Sequence, residues 1–347
     1  MNKSVIIIGG GLSGLTTAHL LKQKKYNVTI IEANSRLGGR IYTKKSKTGT
    51  LEMGATWLWK YNTKLLQLCN QLGIQLFEQC MDGDALFEAM SAHAPQRFQL
   101  PKNQEKSYRI TNGTQEIISR LCKKFTKDEI LLNEKVSAIT LNSEIIDVTT
   151  NKSSYETDYV IATVPPQLLI NSINFSPNLP EQLMNVAKKT HTWMNDSIKF
   201  AVAYKTPFWR AQKLSGVGFS NVGPFTELYD HSNAKETTFA LMGFMNPNMV
   251  KENEDYRKEK IIQQLVKFFG AEATNYITYE DKPWRLDTSI STKSSEYLLP
   301  HQNNGHTLYQ QSFFNSRLII SGSETSKKFG GYMEGAVERA YEVASMF

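Results

Sequence analysis

Residues 5–14 read VIIIGGGLSG. Four apolar, mostly β-branched residues run directly into Gly9, Gly11 and Gly14. That is the pattern of a buried parallel strand, a glycine turn and a helix opening at Leu12. The first glycine makes the tight bend, the second lets the backbone approach a pyrophosphate, and the third lets helix and strand pack closely. Free N–H groups and the helix dipole then favour a diphosphate over the first helical turn, which holds Ser13. A second β-rich run, residues 28–31, ends at Glu32, where a carboxylate accepts hydrogen bonds from a ribose diol. The glycines alone also fit an ordinary α/β turn. With the strand before them, the helix after them and the acid after the second strand, the reading is a dinucleotide site.

The whole chain sets the bounds. Its 347 residues are enough for a large core and two domains. Its composition is that of a globular protein. The net charge is +7, but the lysines are scattered. Lys22, Lys24 and Lys25 close the first helix, where cations suit the dipole, and Lys44, Lys45 and Lys47 fall in a surface loop. No basic stripe with interleaved aromatics occurs, so nucleic acid is not expected as a partner. Three cysteines without a CxxC, and six histidines without an HExxH, argue against a disulfide framework and against a metal site. The first residues mimic a signal peptide only superficially, and no apolar run reaches membrane length. The expectation is a cytoplasmic protein in a reducing compartment, with no membrane anchor. Oligomeric state is open, a homo-oligomer included.

After Glu32 comes SRLGGRIYT, in which Arg36 and Arg40 flank Gly38 and Gly39. Two guanidinium groups near a pyrophosphate would offset its charge; a β-turn with surface arginines is the alternative. In LEMGATWLW, residues 51–59, Gly54, Ala55 and Thr56 are small and suit close approach to a planar ligand. An amphipathic helix is expected over 62–72 and a poorly periodic excursion over 77–108. Further helices are expected over 179–189 and 256–269, with a last one after residue 332. Strands are expected at 130–133, 138–141, 159–164, 196–204, 237–244 and 318–321, and a hairpin over 145–157.

Several of these stretches, in order along nearly the whole chain, resemble the flavin-containing amine oxidases (monoamine oxidase-like). The glycine turn with Glu32 and the Arg36–Arg40 segment look like that family's FAD fingerprint. Gly54-Ala55-Thr56-Trp57 looks like its GATW-type loop, and residues 162–166 resemble its strand end. Gly322-Ser323-Glu324-Thr325 and Gly331-Tyr332-Met333-Glu334-Gly335-Ala336 resemble its C-terminal flavin motif. The resemblance implies that Val136 packs the adenine, that Glu324 accepts from ribityl hydroxyls, and that the helix starting near Met333 points its positive end at the flavin. It implies Lys199, in SIKFAVAYKTPFW, as the lysine near flavin N5; a lysine on a solvated strand face is the alternative. Lys199 shares a strand face with Ala201 and Ala203, leaving room for a ligand above it. Tyr332 matches the aromatic-cage tyrosine and Trp284 the tryptophan beside the flavin.

The chain departs from the pattern twice. The second cage wall and the covalent cysteine of monoamine oxidases would fall near Lys293 and Ser294, neither aromatic nor cysteine, with Tyr297 as a substitute wall. FAD is therefore expected to be non-covalent. Only about thirty residues follow the GATW loop where the family inserts a large helical section, which implies a more open site. The expected architecture is α/β: a discontinuous Rossmann-type FAD-binding domain (1–76, 107–188 and 286–347) and a reduced α+β substrate domain (77–106 and 189–285). The expected function is FAD-dependent oxidation of a small-molecule amine with molecular oxygen as acceptor. The alternatives are an FAD oxidoreductase or desaturase acting on an apolar non-amine substrate, or a flavin-binding protein with little turnover.

Overall fold

The computed structural model describes residues 2–101, 103–292 and 298–347. The opening strand, Ser4–Ile8, lies inside a six-stranded sheet, parallel to Asn27–Ile31 on one side and to Tyr159–Ala162 on the other. Ile130–Leu131 extends one edge; Leu318–Ile320 and the antiparallel Ser312–Phe313 extend the other. Strands covered on both faces are apolar throughout rather than alternating. On one face the helices Leu12–Gln23 and Met333–Ala344 pack together through Leu15, Leu21 and Val337, so the two ends of the chain share one core. The other face packs on an antiparallel sheet, Val136–Asn142, Ile145–Thr150 and Ser154–Thr157, through Ile6, Ile8, Ile139 and Val148.

A second sheet has seven strands. In spatial order they are Tyr276–Pro283, Ile198–Tyr204, Phe239–Met245, Phe225–Asp230, Leu214–Ser220, Asp84–Glu88 and Gln96–Gln99. The helix Glu254–Phe269 covers one face, setting Ile261, Leu265 and Phe269 against Phe200, Val202 and Phe225. Asn253 starts this helix by accepting from the Tyr256 N–H at 2.9 Å, and Gly270 at φ 90° ends it.

Three features differ from the sequence reading. Leu214–Ser220 and Phe225–Asp230 are strands that it missed, because Gly216, Gly218, Gly223 and Pro224 break the periodic signal. Gly218 is needed there: a side chain would press on the Phe268 ring. The excursion after residue 77 holds a hairpin, Asp84–Glu88 with Gln96–Gln99, that extends the second sheet beside Leu214–Ser220. The strand expected over 159–164 stops at Ala162, short of the prolines, and Pro166 opens the short helix Pro166–Ser172, its fixed φ suiting a first helical position.

Candidate active site

A cavity of about 880 Å³ is lined both by the glycine turn and by the second sheet. At the turn, Gly11 caps the first helix without any side-chain cap, and a Cβ there would meet nothing within 4 Å. Gly14 is the opposite case: a Cβ would collide with the Gly9 carbonyl, which is the close helix–strand approach expected of the third glycine. Ser13 is buried, lines the cavity, and its hydroxyl has no partner among the described residues. Glu32 is clamped by two backbone N–H groups, from Gly10 at 2.7 Å and Asn34 at 2.8 Å, and still faces the cavity with lone pairs to spare. An uncapped helix start, an orphaned hydroxyl and a fixed carboxylate fit the diphosphate and ribose of a dinucleotide such as FAD.

The two arginines behave differently. Arg36 does not line the cavity. Its guanidinium donates to the carbonyls of Gly39 at 2.7 Å and Ile41 at 3.1 Å, and stacks 4.6 Å from the Tyr42 ring, so it braces the loop rather than facing a phosphate. Arg40 lines the cavity but is engaged with Glu324 through two bonds of 2.6 and 2.9 Å, with the Ser323 hydroxyl at 2.7 Å, and with the Trp193 carbonyl at 3.0 Å. Glu324 is 1% exposed, absent from the cavity wall and engaged in this ion pair. Burial alone would raise its pKa; the Arg40 charge and the bonds from Arg40 and Ser323 outweigh that and hold it below the usual range. Val136 also stays out of the cavity. A register irregularity between Val136 and Ala138 turns it inward, into the core with Ile139 and Val148.

Lys199 stands near the start of Ile198–Tyr204, one strand in from the edge of the second sheet, 2% exposed and facing the cavity. Its ammonium donates to the Gly54 carbonyl at 2.6 Å and to the Thr56 hydroxyl, and lies 5.0 Å from the Trp57 ring and 5.4 Å from the Phe244 ring. Burial pushes it down to about 7, against the pull of Glu52 and helped by the repulsion of Arg109. The solvated-face alternative is therefore excluded. The space over Ala201 and Ala203 is not ligand space, however: Leu51 and Met53 fill it. Gly54 is small for a related reason, since a side chain there would strike the Arg40 backbone. Trp284 is fixed by its indole N–H on the Met53 carbonyl at 2.8 Å.

Gly9, Gly11, Ser13, Glu32, Gly39, Arg40, Gly54, Ala55, Thr56, Lys199, Trp284, Tyr332 and Met333 all line this one cavity. Tyr332 is 41% exposed, with its ring 5.3 Å from His301 and 5.2 Å from Trp193. Trp193 and His301, themselves stacked at 4.1 Å, carried no periodic or motif signal. Glu227 was missed as well. Phe244 pairs across the sheet with Lys199 on one side and Glu227 on the other, so all three point to one face. Lys293, Ser294 and Tyr297 lie outside the described residues. Among the described residues no cluster is placed to hold a metal ion, and no helix is long and apolar enough to cross a membrane.

Comparison with known proteins bears on what occupies such a cavity. The solved structure of a putrescine oxidase bound to putrescine superposes with a TM-score of 0.86 at 20% identity, covering 100% of this chain and 99% of that one. Cyclohexylamine oxidase from Brevibacterium oxydans IH-35A gives 0.87 at 18%, covering 100% and 98%. At such identities the likeness establishes the fold. Among curated proteins, a probable flavin-containing monoamine oxidase A of Dictyostelium discoideum is 24% identical over 98% of this chain and 96% of its own length. Flavin-containing amine oxidase A of Bos taurus is 25% identical over 98% and 84%. The first alignment runs over 446 positions against the 347 residues here, so that relative carries segments this chain lacks. The model of the flavin-containing amine oxidoreductases matches residues 12–91 and 85–345, and the chain belongs to that family.

Proposed function

We propose that this protein oxidises a small-molecule amine, with FAD held non-covalently along the cavity. The observation that carries the reading is Lys199, a buried cation between two aromatic rings in the wall of a cavity that begins at a dinucleotide-type glycine turn. Bound there, the flavin would accept a hydride equivalent from the carbon next to nitrogen and pass the electrons to oxygen, giving peroxide and an imine that water hydrolyses.

The chain's own residues have distinct parts. The first turn of Leu12–Gln23 and Ser13 receive the diphosphate, and Glu32 orients the ribose. Gly54, Ala55 and Thr56 place Lys199 Nζ, which holds a proton or a water toward the reacting centre. The rings of Tyr332, Trp193 and Phe244 attract the substrate nitrogen, and the Glu227 carboxylate adds a charge favourable to an ammonium. No side chain stands out as a base for the amine, which fits deprotonation driven by desolvation. The division of labour follows the two sheets: segments 1–76, 107–188 and 286–347 hold FAD, and 77–106 with 189–285 meet the substrate.

Anaerobic addition of a panel of amines to the purified yellow protein tests this. Bleaching of the flavin band by one amine class, with peroxide on readmission of air, is the expected result. Reduction by a non-amine alone would sink the reading. A second reading, flavin binding with little turnover, draws support from the exposure of Tyr332, because an open site admits water. Lys199→Met separates the two: a fall in the rate of reduction supports oxidation, and the second reading gains if no candidate reduces the wild type.

A further inference from the structure

A smaller void lies beside Thr56. It measures about 20 Å³, room for one water molecule. Thr56 borders both this void and the large cavity; its hydroxyl accepts from Lys199 Nζ and donates to the Gly54 carbonyl at 3.0 Å. Glu52, Arg109, Thr114 and His231 are among the other residues around it. Two polar groups here have no partner among the described residues: Arg109 Nε, on a side chain 5% exposed, and the fully buried Thr114 hydroxyl. Buried donors are seldom left so, and internal water is their usual partner. Toward solvent the void is bordered by Thr50, Thr111 and Asn233, which are exposed or half-buried.

The charges around it come from several elements. Glu52, on Gly49–Glu52, accepts from the Thr114 N–H at 2.7 Å and the Thr43 hydroxyl at 2.9 Å. Arg109, on Ser107–Ile110, meets His231 Nδ1 at 2.5 Å and the Ser232 carbonyl, and also feels the buried Asp230. His231 Nε2 accepts from the Glu52 N–H at 3.2 Å. Lys282 stands opposite Lys199 in the sheet but pairs with Asp287 at 2.8 Å, and Glu227 is one strand beyond Phe244. Burial, with Arg109 and Lys199 nearby, keeps His231 neutral well below its usual range.

We propose that a single water held by Arg109 Nε and the Thr114 hydroxyl joins the Glu52 carboxylate to Thr56, giving Lys199 a proton path on the side away from the main cavity. In the transfer an Nζ–H bond of Lys199 breaks as Thr56 Oγ1 takes the proton. The Thr56 hydroxyl, turned from the Gly54 carbonyl toward the void, gives its own proton to the water, and the water gives one to Glu52. The net change is ammonium plus carboxylate to amine plus carboxylic acid, with no charge left over. Burial pushes Lys199 down to about 7 and Glu52 up, so burial brings their proton affinities closer together. Arg109 remains a cation, lowered only to about 10; it repels the Lys199 ammonium and attracts the Glu52 carboxylate, so its two effects on the transfer oppose each other. The use of this proton in turnover rests on the proposed amine oxidation; the path itself does not.

The test uses the flavin-loaded, oxidised, substrate-free protein. Its crystal structure is expected to show one ordered water within hydrogen-bonding distance of Arg109 Nε and Thr114 Oγ1; an empty void overturns the proposal without recourse to any variant. Carbon NMR of the lysine ε-positions, with Lys199 assigned from Lys199→Met, then follows its titration. Glu52→Gln is expected to lower the Lys199 midpoint by about 1–3 pH units, with Glu52→Asp restoring part of the shift. An unmoved midpoint overturns the link to Glu52. Thr114→Val, which changes no charge, is expected to slow exchange of the Lys199 protons with solvent several-fold, and unchanged exchange overturns the role of the water. None of these readouts needs turnover. A protein that oxidises amines while Lys199 ignores Glu52 refutes the path alone. One that oxidises nothing while Lys199 responds supports the path and refutes the function alone.

Discussion

Replacing Arg40 by glutamine would expose what joins the two ends of the chain. Arg40 holds Glu324, 284 positions away, through bonds of 2.6 and 2.9 Å, and the carboxylate is 1% exposed. Without the guanidinium, Glu324 keeps Ser323 at 2.9 Å and the Trp193 N–H at 3.3 Å, both neutral donors. Removing one partner of a buried ion pair leaves an uncompensated charge and costs about 3–5 kcal/mol. Urea unfolding at neutral pH, with FAD at one fixed saturating concentration because bound ligand adds its own stabilisation, should read that loss as a lower midpoint. Arg40→Gln combined with Glu324→Gln removes the stranded charge, so the double variant should recover about 2–3 kcal/mol of it. The sign with pH follows from the depressed pKa of Glu324. The wild-type pair contributes stability above the unfolded carboxylate range and loses it as pH falls through the folded value. In Arg40→Gln burial raises that pKa instead, so the gap between wild type and variant should begin to shrink as pH falls through the variant's raised value and close as it falls through the wild type's depressed one. A single-variant loss under about 1 kcal/mol, or additive effects in the double variant, would refute the claim that this pair joins the two ends of the chain.

Further outcomes follow from the same geometry. Gly14→Ala drives a methyl into the Gly9 carbonyl and should leave a protein at least about 3 kcal/mol less stable that is purified without yellow colour, as its absorption spectrum would record. Glu227→Gln should raise KM for amines about tenfold with kcat within about twofold, measured by oxygen uptake; equal KM values would remove Glu227 from substrate binding. Acid precipitation should release all the flavin into the supernatant as FAD, and flavin retained on the pellet would contradict non-covalent binding. Lys199 is depressed from 10.5 to about 7, so the unfolded chain binds the extra proton between those values. Stability should therefore rise with pH across that window, by about 2 kcal/mol between pH 7 and 9, a rise that Lys199→Met abolishes. Denaturation curves at pH 7 and 9 check it.

Local chemistry made much of this protein readable from its sequence. The apolar run into Gly9, Gly11 and Gly14, the acid at position 32 and the spacing of the final helix each follow from backbone geometry within a few residues, and those elements formed where they were expected. Lys199 was legible as a strand residue, but its burial was not. Neighbouring strands, Trp57 and the Gly54 carbonyl remove its water, and no local pattern encodes them. The fates of Arg36, Arg40 and Glu324 were equally hidden. A guanidinium takes whichever acceptors the folded chain brings closest, and those proved to be loop carbonyls for Arg36 and a carboxylate from the far end of the chain for Arg40. The strands rich in glycine, the Trp193–His301–Tyr332 stack and the Glu52–Arg109–His231 cluster exist only through contacts between distant segments. The sequence by itself therefore determined which backbone could cradle a dinucleotide; the tertiary structure alone decided which charges face the cavity and which join the two ends of the chain, because ion pairing and desolvation depend on distance in space and not along the chain.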